Sequence, residues 1–151
     1  MPTSSRAPAK HAATRTDIGY LLAKASQSWN DRLAEAFRRR GYGEVRPSYG
    51  SVLVPLFEED GLRMNELASR ARLAKQTITT MVRLVEREGF VQRRPDPDDA
   101  RATRVYLTER GRRFRPVAEQ ELLRLDATIS ARLGERRTAS LRASLAQLFE
   151  M

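Results

Sequence analysis

A mainly α-helical fold with one small β-hairpin is what three features of this chain predict. Apolar residues recur three and four positions apart through most of it, the period of helices that each bury one face. One segment breaks that rhythm: Phe90 to Arg94 and Thr103 to Leu107 alternate apolar and polar residues around Pro95–Arg101, the pattern of two strands joined by a turn-rich loop. Finally, 151 residues with 40% hydrophobic and 31% charged side chains suit one soluble core, and no apolar run approaches the ~20 residues of a membrane span.

Residues 1–13 are rich in Ala, Pro, Ser and Thr and bury too little apolar surface to offset the entropy of ordering. Residues 1–16 are therefore expected to be a disordered basic tail, and residues 17–151 one domain. Thr14 to Asp17 resembles a capping box that opens a long helix to about Arg40, with Ile18, Leu22, Ala25, Trp29, Leu33 and Phe37 as its apolar stripe and Gly41 as its stop. Pro47 suits a first helical turn and opens a helix through Glu59 that buries Val52, Leu53, Leu56 and Phe57. Met64 to Ala71 forms a short helix, the turn Arg72-Leu73-Ala74 follows, and Lys75 to Glu88 forms a second helix. In that second helix Ile78, Met81, Val82 and Val85 share one side, and Gln76, Thr80, Arg83 and Arg87 the other. Two helices and a hairpin over residues 62–107 make a winged helix-turn-helix, whose second helix offers a groove-reading face of amide, hydroxyl and guanidinium groups. Thr108 caps a third long helix to about Ala131, with Phe114, Ala118, Leu122, Leu125, Ile129 and Leu133 as a seam and Pro116 expected to bend it. A last helix near Glu135 to Phe149 carries Leu141, Leu145, Leu148 and Phe149. The terminal helices, residues 17–46 and 108–150, have more apolar seam than a small module covers, so a helical dimerisation lobe is expected.

The net charge of +9 points to a polyanionic partner. Residues 62–113 hold thirteen basic against seven acidic residues, and residues 1–16 hold Arg6, Lys10 and Arg15 with no acid. Residues 17–61 hold six basic against seven acidic. The excess thus sits on the tail and the winged segment, as phosphate contact requires. With no cysteine and His11 as the one histidine, thiolate metal sites and disulfides are excluded and no metal or cofactor is expected. Glu58-Glu59-Asp60 reads as a solvated helix end. Asp96, Asp98 and Asp99 lack the central glycine and ligand spacing of a calcium loop. No nucleophile–base pair or phosphate-binding loop occurs, which argues against an enzyme. The first sixteen residues lack the apolar centre of a secretory signal, so a cytoplasmic location is expected.

Four fragments carry a family resemblance: Leu73-Ala74-Lys75-Gln76-Thr77-Ile78-Thr79, Glu88-Gly89-Phe90-Val91-Gln92-Arg93, Asp96-Pro97-Asp98-Asp99-Ala100-Arg101 and Val105-Tyr106-Leu107-Thr108-Glu109-Arg110-Gly111. In this order and spacing, with long helices on both sides, residues 17–150 resemble the MarR family of bacterial winged helix-turn-helix transcriptional regulators. The resemblance implies a homodimer on a near-palindromic double-stranded operator, and more often a repressor, released by a small molecule, than an activator. Its DNA contacts fall on Lys75, Gln76, Thr77, Thr79, Thr80 and Arg83 of the reader and on Arg101 of the wing, with Asp99 orienting Arg101. It also implies a ligand cleft between the lobe and the winged motif, lined by the first two helices. Trp29 and Tyr49 are its aromatic candidates, and Arg32 or Arg46 would partner a small aromatic acid or phenol. The chain departs from the family at Arg63 and Ala74, where helix-capping Ser, Thr or Asp is usual, and at Leu84 and Ala100, which replace polar and basic residues. An architectural DNA binder without a ligand stands as the alternative function.

Overall fold

The computed structural model describes residues 14–151, so the tail expected over residues 1–13 lies outside the described residues. Six α-helices and three strands follow in order: α1 Ile18–Arg39, α2 Gly50–Glu58, β1 Leu62–Arg63, α3 Met64–Ala71, α4 Lys75–Arg87, β2 Val91–Pro95, β3 Thr103–Leu107, α5 Glu109–Leu133 and α6 Glu135–Phe149.

Half of the expected capping box forms ahead of α1. The Asp17 carboxylate accepts the Thr14 N–H at 2.6 Å, but no side chain caps the helix itself, and Thr14–Asp17 remains a turn. At the other end Gly41, at φ +86°, reverses the chain so that the Tyr42 N–H reaches the Phe37 carbonyl at 2.9 Å, the left-handed helix stop that glycine makes without strain. The expected apolar stripe of α1 divides in two. Leu33, Ala36 and Phe37 are buried, whereas Ile18, at 72% exposure, Leu21 and Leu22 stand open. The helix expected from Pro47 starts as a 3-10 turn over Pro47–Tyr49 and turns α-helical at Gly50. Val52, Leu53 and Leu56 are buried as expected, while Phe57 is only half-buried.

The expected two-stranded hairpin is the larger part of a three-stranded antiparallel sheet in the order β1-β3-β2. Leu62 and Arg63 pair with Val105 and Arg104, and Val91 to Pro95 pair with Leu107 to Thr103. A two-residue strand shows no alternation, so β1 leaves no periodic mark in the sequence.

One core joins the winged segment to the long helices. Leu67 of α3, Ile78, Val82 and Val85 of α4, Phe90 before β2, Val105 of β3 and Phe114 of α5 are all essentially inaccessible. Phe114 meets three aromatic rings. Its ring lies edge-on to Phe37 at 5.0 Å and to Phe90 at 5.5 Å, and tilted against Tyr42 at 4.9 Å. α5 is thus anchored at its first turns in the same core as α4, the helix expected to read a groove. Thr108 caps α5, accepting the Gly111 N–H at 3.1 Å while donating to the Gly89 carbonyl at 2.5 Å. α5 runs two residues beyond the expected Ala131, to Leu133, and Gly134 separates it from α6. No helix of the described residues is long and apolar enough to cross a membrane.

Candidate nucleic-acid interface

α4 holds its outward face rigidly because Ile78, Val82 and Val85, at 0% exposure, fix its inward one. Lys75, Gln76, Thr77, Thr80, Arg83 and Arg87 are exposed on it, and Thr79 is half-buried. Neither Lys75 nor Arg83 nor Arg87 is held in an ion pair among the described residues. Two hydroxyls are already committed: Thr79 donates to the Lys75 carbonyl at 2.7 Å and Thr80 to the Gln76 carbonyl at 3.0 Å. Their protons therefore point along the helix, leaving oxygen lone pairs and methyl groups for an approaching surface. Ala74 caps nothing, so the first-turn N–H groups of α4 lack a side-chain acceptor and suit a phosphate oxygen. At the other end of α4, Glu86 accepts from the Arg93 side chain at 3.0 Å and from its N–H at 2.9 Å, tying the helix to β2. The Arg93 guanidinium holds the Glu86 carboxyl below its usual range.

Arg101 is exposed in the wing loop, as an arginine bound for a groove must be. Asp99 meets Arg101 through the backbone. Its carboxylate accepts the Arg101 backbone N–H at 3.0 Å, and no side-chain ion pair joins the two among the described residues. An aspartate two residues ahead is well placed to close a local turn on its own backbone, so Asp99 shapes the loop and leaves the guanidinium free. The wing is organised by Asp96, whose side chain is 0% exposed. Its Oδ2 accepts from Arg63 Nε at 2.6 Å and Arg104 Nε at 2.9 Å, and its Oδ1 accepts from the Asp98 N–H at 2.8 Å. Arg104 also donates to the Gly61 carbonyl at 2.9 Å. The sequence alone does not join Arg63, Asp96 and Arg104, because no periodicity links positions 63, 96 and 104. The guanidinium at the helix-cap position of α3 is the one local signal.

The four residues expected to line a ligand cleft do not converge. Tyr49, at 4% exposure, is packed into the core, Arg46 is exposed, and Trp29 is half-buried on α1. The 3-10 turn that precedes α2 carries the Tyr49 ring inward, where a regular helix start was expected. A cleft of about 560 Å³ lies between α1 and α5, and of the four only Arg32 lines it. Glu121, buried at its wall, accepts from Arg40 at 2.8 Å and from Arg124 at 3.1 Å.

The profile of the MarR family matches residues 47–103. The transcriptional regulator TtmR of Methylorubrum extorquens is 39% identical over 61 residues, 40% of this chain and 31% of that protein. The transcriptional repressor YetL of Bacillus subtilis is 33% identical over 112 residues, 68% of this chain and 65% of that protein. The chain thus spans about a third of one relative's length and just under two thirds of the other's. A probable transcriptional regulator from Pseudomonas aeruginosa superposes with a TM-score of 0.78 at 28% identity, over 88% of this chain and 97% of that one.

Proposed function

We propose that this chain, whose residues 47–103 match the profile of the MarR family, is a member of that family and a sequence-specific, DNA-binding transcriptional regulator that works as a homodimer. The observation that carries the reading is the outward face of α4. A guanidinium at Arg83, in no ion pair among the described residues, stands with the amide of Gln76 and the hydroxyls of Thr77 and Thr80 on a helix whose inner face is fully buried. Such groups match base edges and phosphates of a major groove. In this reading Lys75, Gln76, Thr77, Thr79, Thr80 and Arg83 meet the groove and Arg101 enters the adjacent minor groove. Regulation, not catalysis, is the activity.

The test begins by selecting bound fragments from the source genome, which gives the operator. Arg83→Ala should then weaken operator binding by about 1 to 3 kcal/mol with an unchanged melting temperature. Unchanged affinity would remove Arg83 from the interface. Equal affinity of the unaltered protein for operator and scrambled duplex would favour the architectural alternative.

The finer part of the proposal is that the protein represses and is released by a small aromatic or acidic molecule. It is supported by the arginine-lined cleft between α1 and α5, because a ligand held there touches the helix whose Phe114 packs against Phe90, in the turn between α4 and β2. Trp29 lies one turn from Arg32 and is the one tryptophan, so its fluorescence reports on the cleft. Titration with aromatic acids should both shift that emission and weaken operator binding. An emission change without loss of operator would sink the release mechanism.

A further inference from the structure

We propose that Arg63 and Asp96 are positioning residues that set the pose of the wing against α3, so that recognition by Arg101 depends on a buried carboxylate that does not itself touch DNA. The inference rests on the DNA-binding reading above and adds the residues that hold the wing. Asp96 joins three pieces of chain through one carboxylate. The base of the wing is bound by the Asp98 N–H, the central strand β3 by Arg104, and the start of α3 by Arg63. Arg104 extends the tie to the Gly61 carbonyl, just ahead of β1.

Arg63 is the informative member. It occupies the N-cap of α3 and makes no cap hydrogen bond, at a position where Ser, Thr, Asp or Asn would satisfy an orphan N–H. The Glu66 N–H is met by Asn65 Oδ1 at 3.0 Å; with Glu66 three residues on, a serine at this site would take that bond over and complete a capping box. The chain instead carries a long cation there and directs its Nε at Asp96, 33 residues away. The local helix bond is given up for a tertiary one. What the tertiary bond does, and a cap cannot, is fix the wing relative to the helix that packs on the reader. The free guanidinium of Arg101, unanchored by Asp99, depends on that fixing for its approach to the duplex.

Two substitutions separate this role from plain stabilisation and from plain charge. Arg63→Ser creates the capping box while cutting the tie: the melting temperature should hold to within about 4 °C, while operator affinity falls roughly tenfold. Asp96→Asn removes a negative charge from the wing, which by long-range attraction alone would raise affinity; the positioning role predicts a fall. In both backgrounds Arg101→Ala should cost less than in the unaltered protein, since a misplaced guanidinium has less to lose. The proposal is overturned if affinity and melting temperature fall together in Arg63→Ser, if Asp96→Asn binds more tightly, or if Arg101→Ala costs the same in every background. A parent protein that selects no operator at all would instead remove the DNA-binding reading on which the proposal stands. Should Asp96→Asn not fold, Arg63→Ser alone decides the outcome.

Discussion

A carboxylate that accepts three hydrogen bonds gives up its proton readily, and Asp96 is held below its ordinary value of 3.8, first by the Asp98 N–H and then by Arg63 and Arg104. Because its folded value is depressed, the contribution of this joint to stability is complete above the unfolded value and is lost as pH falls through the folded one. Melting temperatures of the parent and Asp96→Asn should therefore differ by a constant amount from about pH 5 to 8 and converge below about pH 3.8. A difference that grows between pH 5 and 8 would assign the effect to another group. The exposed positions of Arg83 and Arg101 are legible in the sequence because a polar residue on the outer side of a periodic helix, or at a hairpin tip, announces itself by position. The contact Asp99 makes is not, since an aspartate's nearest acceptable donor is the backbone N–H two residues on, which no periodicity marks.

At the scale of elements, the junction of α5 with the sheet turns on Gly111. A Cβ built there would lie 2.2 Å from the Phe90 carbonyl oxygen and 3.2 Å from Leu107 Cδ2. Gly111 is helical and buried, so alanine would ordinarily gain about 0.8 to 1 kcal/mol from helix propensity. The clash is with backbone, and forcing α5 away from Phe90 also disturbs Phe114 and the Thr108–Gly89 bond, at an overpacking cost of about 1 to 3 kcal/mol. The cost wins, because the atom met is backbone: Gly111→Ala should lower stability by up to about 2 kcal/mol in urea denaturation, and a stabilised variant would show that α5 can shift freely. All six helices could be read from their 3.6-residue periods, and α6 was placed at its observed bounds, because a continuous apolar seam needs no knowledge of the rest of the fold. β1 escaped, since Leu62–Arg63 is defined only by its partners Val105 and Arg104. The 3-10 start at Pro47 escaped as well, and with it the burial of Tyr49.

For the whole molecule the telling feature is which apolar groups a single chain leaves open. Ile18, Tyr20, Leu21 and Leu22 of α1 and Leu141, Leu145, Leu148 and Phe149 of α6 are all exposed, while Leu33 and Phe37 of the same α1 are buried. Seams on both terminal helices that stay unfilled after the core has closed are what a two-fold interface consumes. A homodimer also supplies two reader helices, and groove geometry then sets operator half-sites about 10 base pairs apart. Leu145 is the sharpest probe, being 43% exposed in the middle of α6 and outside the core. Two-fold symmetry makes one substitution act twice. Losing the burial still available to Leu145 is worth about 1 kcal/mol per copy, and Leu145→Glu adds the repulsion and desolvation of two carboxylates. The dimer dissociation constant should rise at least about thirtyfold, read by sedimentation, while circular dichroism stays helical because Leu145 lies outside the core of its own chain. Operator affinity should fall with dimerisation at protein concentrations below the new dissociation constant and recover above it, since each separated chain still carries an intact reader. A parent protein that sediments as a monomer at micromolar concentration, or a Leu145→Glu variant that dimerises and binds like the parent, would remove α6 from the interface and leave its leucines without a partner.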